Sequence, residues 1–209
     1  MLANSIQPSK PLSRAQRRRR EDIIEAALEI FERDGFEAAK MADIAQKADV
    51  AKGTLYLYFD TKDDLLEGVI MTSILPTLQE IGEAAQSLEG SAKETLAQQI
   101  KIATVRMASS EMTILLRLMI SGRAKHQNVI QFYYENVVQQ GLKHFQTTLD
   151  RGVASGEFRE KANSIDVLVL VGAPVYTAIW NILFGDKEQI DPEKLAEDLL
   201  DVVLNGLLK

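Results

Sequence analysis

The chain has no cysteine among its 209 residues, which removes disulfides, thiolate catalysis and thiolate metal sites together and suits a reducing compartment. Histidine is almost as scarce. His126 and His144 are the only two, 18 residues apart, so they form no short metal-ligand pair. No Gly-rich phosphate loop or nucleophile motif accompanies them, and no spacing singles out a carboxylate pair among thirty acids. The expectation is a protein that is not an enzyme and holds no metal and no cofactor. No basic start followed by a 7–15-residue apolar run opens the sequence, so a secretory signal is not predicted, and a cytoplasmic protein is expected. The longest uncharged run, Val167 to Gly185, only approaches the ~20 apolar residues of a membrane span. Pro174, Thr177, Asn181 and its glycines interrupt it, Asp166 precedes it, and its flanks show no basic excess on one side. It reads instead as a helix buried on all sides.

Charge is unevenly spread, and the net value of −6 hides this. Residues 1–62 carry eleven Lys/Arg against ten Asp/Glu, whereas residues 63–209 carry thirteen against twenty. A mildly basic first third on an acidic remainder is the distribution of a small DNA-facing head attached to a larger body.

What is present in that first third is a pair of short helices. Met41, Ile44, Ala45 and Ala48 recur at i, i+3, i+4 and i+7 and predict one apolar stripe. Asp49 follows, a residue type that tolerates the left-handed conformation of a tight turn. A second helix is expected from about Lys52 to Phe59. Leu55 and Phe59 point inward there, which leaves Lys52, Thr54, Tyr56, Leu57 and Tyr58 outward, and Gly53 allows close backbone approach to a partner. A major groove about 12 Å wide admits one such helix. Leu57 in that groove could read only a thymine methyl or pack on sugar.

At Ile44-Ala45, Gly53-Thr54-Leu55-Tyr56-Leu57-Tyr58-Phe59 and Lys62 the chain resembles the TetR/AcrR family of bacterial transcriptional regulators. The motif-level likeness covers roughly residues 17–77. It implies an all-α fold: an N-terminal three-helix helix-turn-helix head and a larger C-terminal helical body for effector binding and dimerisation. Two positions depart from the family pattern. Lys40 stands where a Ser or Thr is usual, and Asp49-Val50-Ala51 replaces a Gly-Val-Ser turn. Both changes remove hydroxyl caps, each ordinarily worth ~1 kcal/mol. Lys40 can still meet a phosphate as a point charge, whereas Ala51 donates nothing.

The boundaries that follow are a flexible basic arm at 1–16, the head at 17–77 with its recognition motif at about 40–59, and the body at 78–209. Arg14 and Arg17 to Arg20 lead into the first helix against its dipole, which favours phosphate neutralisation, with Arg17 and Arg18 as the chosen contacts. That helix has Ile23, Ile24, Ala27, Leu28 and Phe31 on its apolar face and Gly35 at its end. The head core is expected to be Ile24, Leu28, Phe31, Phe36, Ile44, Leu55 and Phe59. Thr61 is a predicted N-cap with Asp64 as its reciprocal partner. The resemblance puts Lys62 on a DNA phosphate at that helix start.

Beyond the head, the period is helical throughout. Pro76 is expected to kink or end the fourth helix, with a loop at 87–90 after it. Ser91 and Glu94 form a capping box ahead of Leu96, Ile100 and Met107, and Ser110 opens a helix ending at Gly122. One long helix spans about 128–154, and Asp191-Pro192 starts the last. Met107, Met112, Met119, Phe132, Tyr133, Phe145, Tyr176, Trp180 and Asn181 are candidates for an effector cavity, although ordinary core packing competes for each. Val167, Val171, Val175, Ile179, Leu195, Leu199 and Val203 are candidates for a dimer interface, which in the family is built from the last two helices of each subunit. The expected function is a homodimeric repressor that leaves a palindromic DNA operator when a small molecule binds. A DNA-binding activator or an architectural protein without effector, and a helical enzyme, are the alternatives.

Overall fold

A computed structural model describes residues 12–86, 90–122 and 124–207. Residues 1–11 of the expected arm, and most of the expected loop at 87–90, lie outside the described residues. The elements are helical: α1 Arg14–Ala38, α2 Met41–Lys47, α3 Lys52–Tyr56, α4 Lys62–Gln86, α5 Ala92–Met107, α6 Ser110–Gly122, α7 Gln127–Tyr133, a π-helical turn Tyr134–Val138, α8 Gln139–Ala154, a 3-10 turn Ala162–Ser164, α9 Leu168–Phe184 and α10 Pro192–Leu207. The fold is all-α, with an N-terminal helix-turn-helix and a helical body.

Helix starts follow local chemistry. Ser13 caps α1 in a box with Gln16, so helix begins at Arg14, inside the stretch expected to be a flexible arm. Thr61 Oγ1 accepts from Asp64 N at 3.0 Å while Thr61 N donates to Asp64 Oδ2 at 2.9 Å. Ser91 and Glu94 repeat that arrangement on α5. Asp191 Oδ1 accepts from Glu193 N and Lys194 N ahead of α10. Each box satisfies backbone donors that the first helical turn leaves open.

Three breaks differ from expectation. Gly35 does interrupt α1, at φ 75° and ψ 164°, but a further turn follows it to Ala38. Pro76 does not end α4, which continues to Gln86. The carbonyl four residues back that loses its donor belongs to Thr72, an exposed residue that water can serve. The helix expected over 128–154 is divided by the π-helical turn, one extra residue per turn that apolar spacing does not reveal.

The chain divides into two compact units, one drawn from residues up to Thr72 together with Leu118–Phe132, the other from Ser73–Arg117 and the residues from Tyr133 onward. In the first, Ile23, Ile24, Ala27, Phe31, Phe36, Ile44, Leu55, Phe59, Leu65 and Val69 are buried; Leu28, expected among them, is half-buried. In the second, α5 packs against α8, α9 and α10, around a core that includes Leu96, Ile100, Phe145, Leu149, Phe158 and Leu170.

Candidate nucleic-acid interface

The helix pair at 41–56 is set by its buried side. Ile44 and Ala45 anchor α2, and Leu55 and Phe59 anchor α3 and the turn after it. Between the helices Asp49 adopts φ 53°, the left-handed conformation expected of it, and Val50 N donates to Ala45 O at 3.0 Å. α3 is shorter than predicted. Its regular part stops at Tyr56, and bonds from Tyr58 N and Phe59 N to Leu55 O carry the turn on to Phe59.

Opposite those anchors the side chains are free. Lys52, Gly53 and Tyr56 are exposed, Leu57 is 83% exposed, and Thr54 and Tyr58 are half-buried. Lys52 Nζ lies 5.9 Å from the Tyr56 ring centroid, so charge and ring form one outward face. A Cβ built on Gly53 would meet nothing within 4 Å. Nothing inside the protein therefore demands glycine there. Neither Ala51 nor Lys40 gives its helix a side-chain cap, in keeping with the two departures read in the sequence.

Two basic residues are used differently from expectation. Lys62 Nζ donates to the carbonyls of Phe36, Glu37 and Ala39 and sits 4.6 Å from the Phe36 ring centroid. All three ammonium donors are taken in closing the end of α1, so Lys62 is not the free phosphate ligand expected at that position. Arg20 lies over the Phe59 ring at 5.2 Å, and burial lowers its pKa. Arg17 and Arg18 remain exposed on the first turns of α1, as does Lys40 ahead of α2.

The effector candidates are spread over both units. Phe145 is a member of the second unit's core, and Tyr176 is 52% exposed. Trp180 Nε1 donates to Glu188 O, and Asn181 Nδ2 donates to Ala108 O, both at 3.1 Å. Tyr176, Trp180 and Phe184 instead make a ladder of ring contacts along α9. Met112 and Met119 are buried; Met107, Phe132 and Tyr133 are partly so, and burial raises the Tyr133 phenol pKa. A groove of about 220 Å³ in the second unit is lined by Leu75, Leu78, Gln79, Gly82, Glu83, Gln86, Gln140 and His144, none of them predicted. It is smaller than the ~300–1,000 Å³ of most ligand pockets. Burial lowers the His144 pKa there.

The dimer candidates differ in burial. Val167 is buried, and Val171, Leu199 and Val203 pack on the unit's own core; Val175, Ile179 and Leu195 are half-buried. The large apolar side chains of α9 and α10 left in water, among the described residues, are Leu168, Val169, Tyr176, Leu183, Phe184 and Val202. Among the described residues no group of His, Asp and Glu is placed to hold a metal, and no helix is long and apolar enough to cross a membrane.

A pair of short helices joined by a left-handed turn, held from behind by Ile44, Ala45, Leu55 and Phe59 and open on its outer face, is a helix-turn-helix. The sequence profile of the bacterial regulatory proteins of the tetR family matches residues 23–69. The KstR transcriptional repressor of Mycolicibacterium smegmatis is 52% identical over 54 residues, 26% of each chain. Over nearly the whole chain, FadR of Bacillus subtilis, solved in complex with stearoyl-CoA, aligns with a TM-score of 0.73 and 25% identity, covering 89% of this chain and 98% of that one. A TetR-family regulator from Mesorhizobium loti has the same fold, with a TM-score of 0.78 at 18% identity over 95% of this chain and 100% of its own. These likenesses support a transcriptional regulator of the tetR family, and residues 23–69 are the part that carries the family pattern.

Proposed function

We propose that the protein is a homodimeric repressor that binds a partly palindromic DNA operator through α3 and releases it when a small hydrophobic molecule is taken up by the body. The observation that carries the reading is the outer face of α3, where Lys52, Gly53, Tyr56 and Leu57 are exposed and Thr54 is half-buried while Leu55 and Phe59 hold the helix from behind. Lys52, Thr54 and Tyr56 contact bases or the adjacent backbone. Tyr58, Lys40, Arg17 and Arg18 position the head on phosphates. The exposed apolar stripe of α9, joined by Val202 of α10, supports the second copy that a palindrome requires. Repression is the sense supported by KstR, and an apolar effector by the stearoyl-CoA bound to FadR.

The proposed head is residues 17–77 and the proposed body 78–209, with 118–132 joining the head's compact unit. Two α3 helices of a dimer reach successive major-groove faces only at about 34–36 Å separation. An effector that favours another body conformation weakens operator binding by its differential affinity for the two states. Selection of bound duplexes from a random library at ~150 mM salt tests this, since affinity depends steeply on salt. Enrichment of two inverted half-sites is expected. A folded dimer that enriches no sequence, with or without long-chain acyl-CoA, would overturn it.

A further inference from the structure

His126, read in the sequence only as half of a pair too far apart for a metal, sits between two carboxylates. Its Nδ1 is 2.9 Å from Asp63 Oδ1 and its Nε2 is 3.2 Å from Glu37 Oε1. The ring packs edge-on against Phe36, centroids 4.6 Å apart at 82°. Its own turn is fixed by a bond from His126 N to Gly122 O at 3.0 Å, and a Cβ on Gly122 would crowd the ring at 3.2 Å. The side chain is 20% exposed.

Chemistry assigns this arrangement a charge state. A neutral imidazole has one N–H, so one of its nitrogens would present a lone pair to a carboxylate oxygen. The imidazolium donates from both. Location gives the arrangement its consequence. Glu37 lies just before α2 and Asp63 just after α3, so a bridge between them closes the base of the helix-turn-helix. Lys62 bridges the same two stretches through three backbone carbonyls. An imidazole ordinarily changes charge between pH 5 and 8. We propose that His126 is a proton-operated clip: protonated, it ties the 118–132 segment to both ends of the helix-turn-helix, and deprotonated, it releases one of them.

The other charges on the elements that meet the ring are Lys125 on its own turn, 3.3 Å from Glu37 Oε1, and Lys62, Asp64 and Glu67 beside Asp63 at the start of α4. Glu67 is half-buried beside Asp63 and Asp64, and its carboxyl is pushed up to about 7, first by burial and then by those neighbours. It titrates across the same range and also favours the folded head at lower pH, so the test removes it.

The measurement is hydrogen-exchange protection of peptides from the end of α1, α2–α3 and 118–132, corrected for intrinsic rates, on the full chain carrying Glu67→Gln and without DNA. Protection in the 118–132 and α1 peptides is expected to be about fivefold greater at pH 6 than at pH 8, the size of one net hydrogen bond. His126→Gln should hold the lower level at both pH values, and so should Asp63→Asn, which keeps the imidazole and serves if the first variant unfolds. Either variant keeping the parent's pH ratio overturns the clip. Because no DNA is present, failure here is separate from failure of the operator reading.

Discussion

α3 and α9 both leave large side chains in water, but in opposite settings. α3 is five residues long, and its exposed Tyr56 and Leu57 stand beside Lys52 and Gly53 on a face with no apolar continuity. α9 is seventeen residues without a charge, and its exposed Leu168, Val169, Tyr176 and Leu183 repeat along one side. An isolated exposed apolar residue needs no explanation, whereas a contiguous stripe marks an interface. A mixed face of cation, ring and bare backbone suits the phosphates, sugars and base edges of a groove. The contrast teaches that exposure alone does not identify a partner; what lies between the exposed side chains does.

The strongest way to break this comparison is to charge the α9 stripe. Val169→Asp with Leu183→Asp would bury unpaired carboxylates in any interface formed there. Sedimentation is expected to show association at least ~100-fold weaker, with helicity retained. A parent that is monomeric, or a variant still dimeric, removes α9 from the interface.

Lys62 sharpens the other side, because it separates holding α3 from touching DNA. Lys62→Met deletes three charge-assisted bonds to backbone carbonyls while keeping an apolar stem over Phe36. Loss of about 2 kcal/mol of stability is expected by denaturant unfolding. A residue that only met phosphate would weaken DNA binding and leave stability alone.

A smaller effect comes from Glu67. Its folded-state pKa, about 7, lies above its usual 4.5, so the folded state binds the proton more tightly than the unfolded chain. Stability is then lost as pH rises from 4.5 through 7 and regained as it falls. Glu67→Gln should gain about 1 kcal/mol at pH 8, after allowing for solvent screening of a half-exposed group, and nothing near pH 4. An equal gain at both pH values would mean that charge is not the cause.

The head was largely legible because its signals are local. Asp49 in its left-handed turn, Leu55 and Phe59 as anchors, and the Thr61–Asp64 box each depend on neighbours within a few positions. Lys62 was misread because its partners lie 23 to 26 residues away, a distance no local pattern spans. His126 was overlooked for the same reason, with Glu37 89 residues off. In α9, residues are apolar all round, so the period cannot say which side meets the unit's own core; Val167 fell inside and Leu168 outside. The ring contact of Tyr176 with Trp180 along α9 depends on how the two rings turn, which their spacing alone does not show. The π-helical turn at Tyr134–Val138 left no trace in the apolar spacing.

The central claim is that the open face of α3 meets DNA, and its most direct test is the affinity of Tyr56→Ala for a duplex that the parent protein selects, at ~150 mM salt. Tyr56 has an exposed ring that meets Lys52 on the same face, so its removal should leave folding and association intact. The account predicts at least ~10-fold weaker binding, the size of one base contact or more. Equal affinity of variant and parent would contradict it.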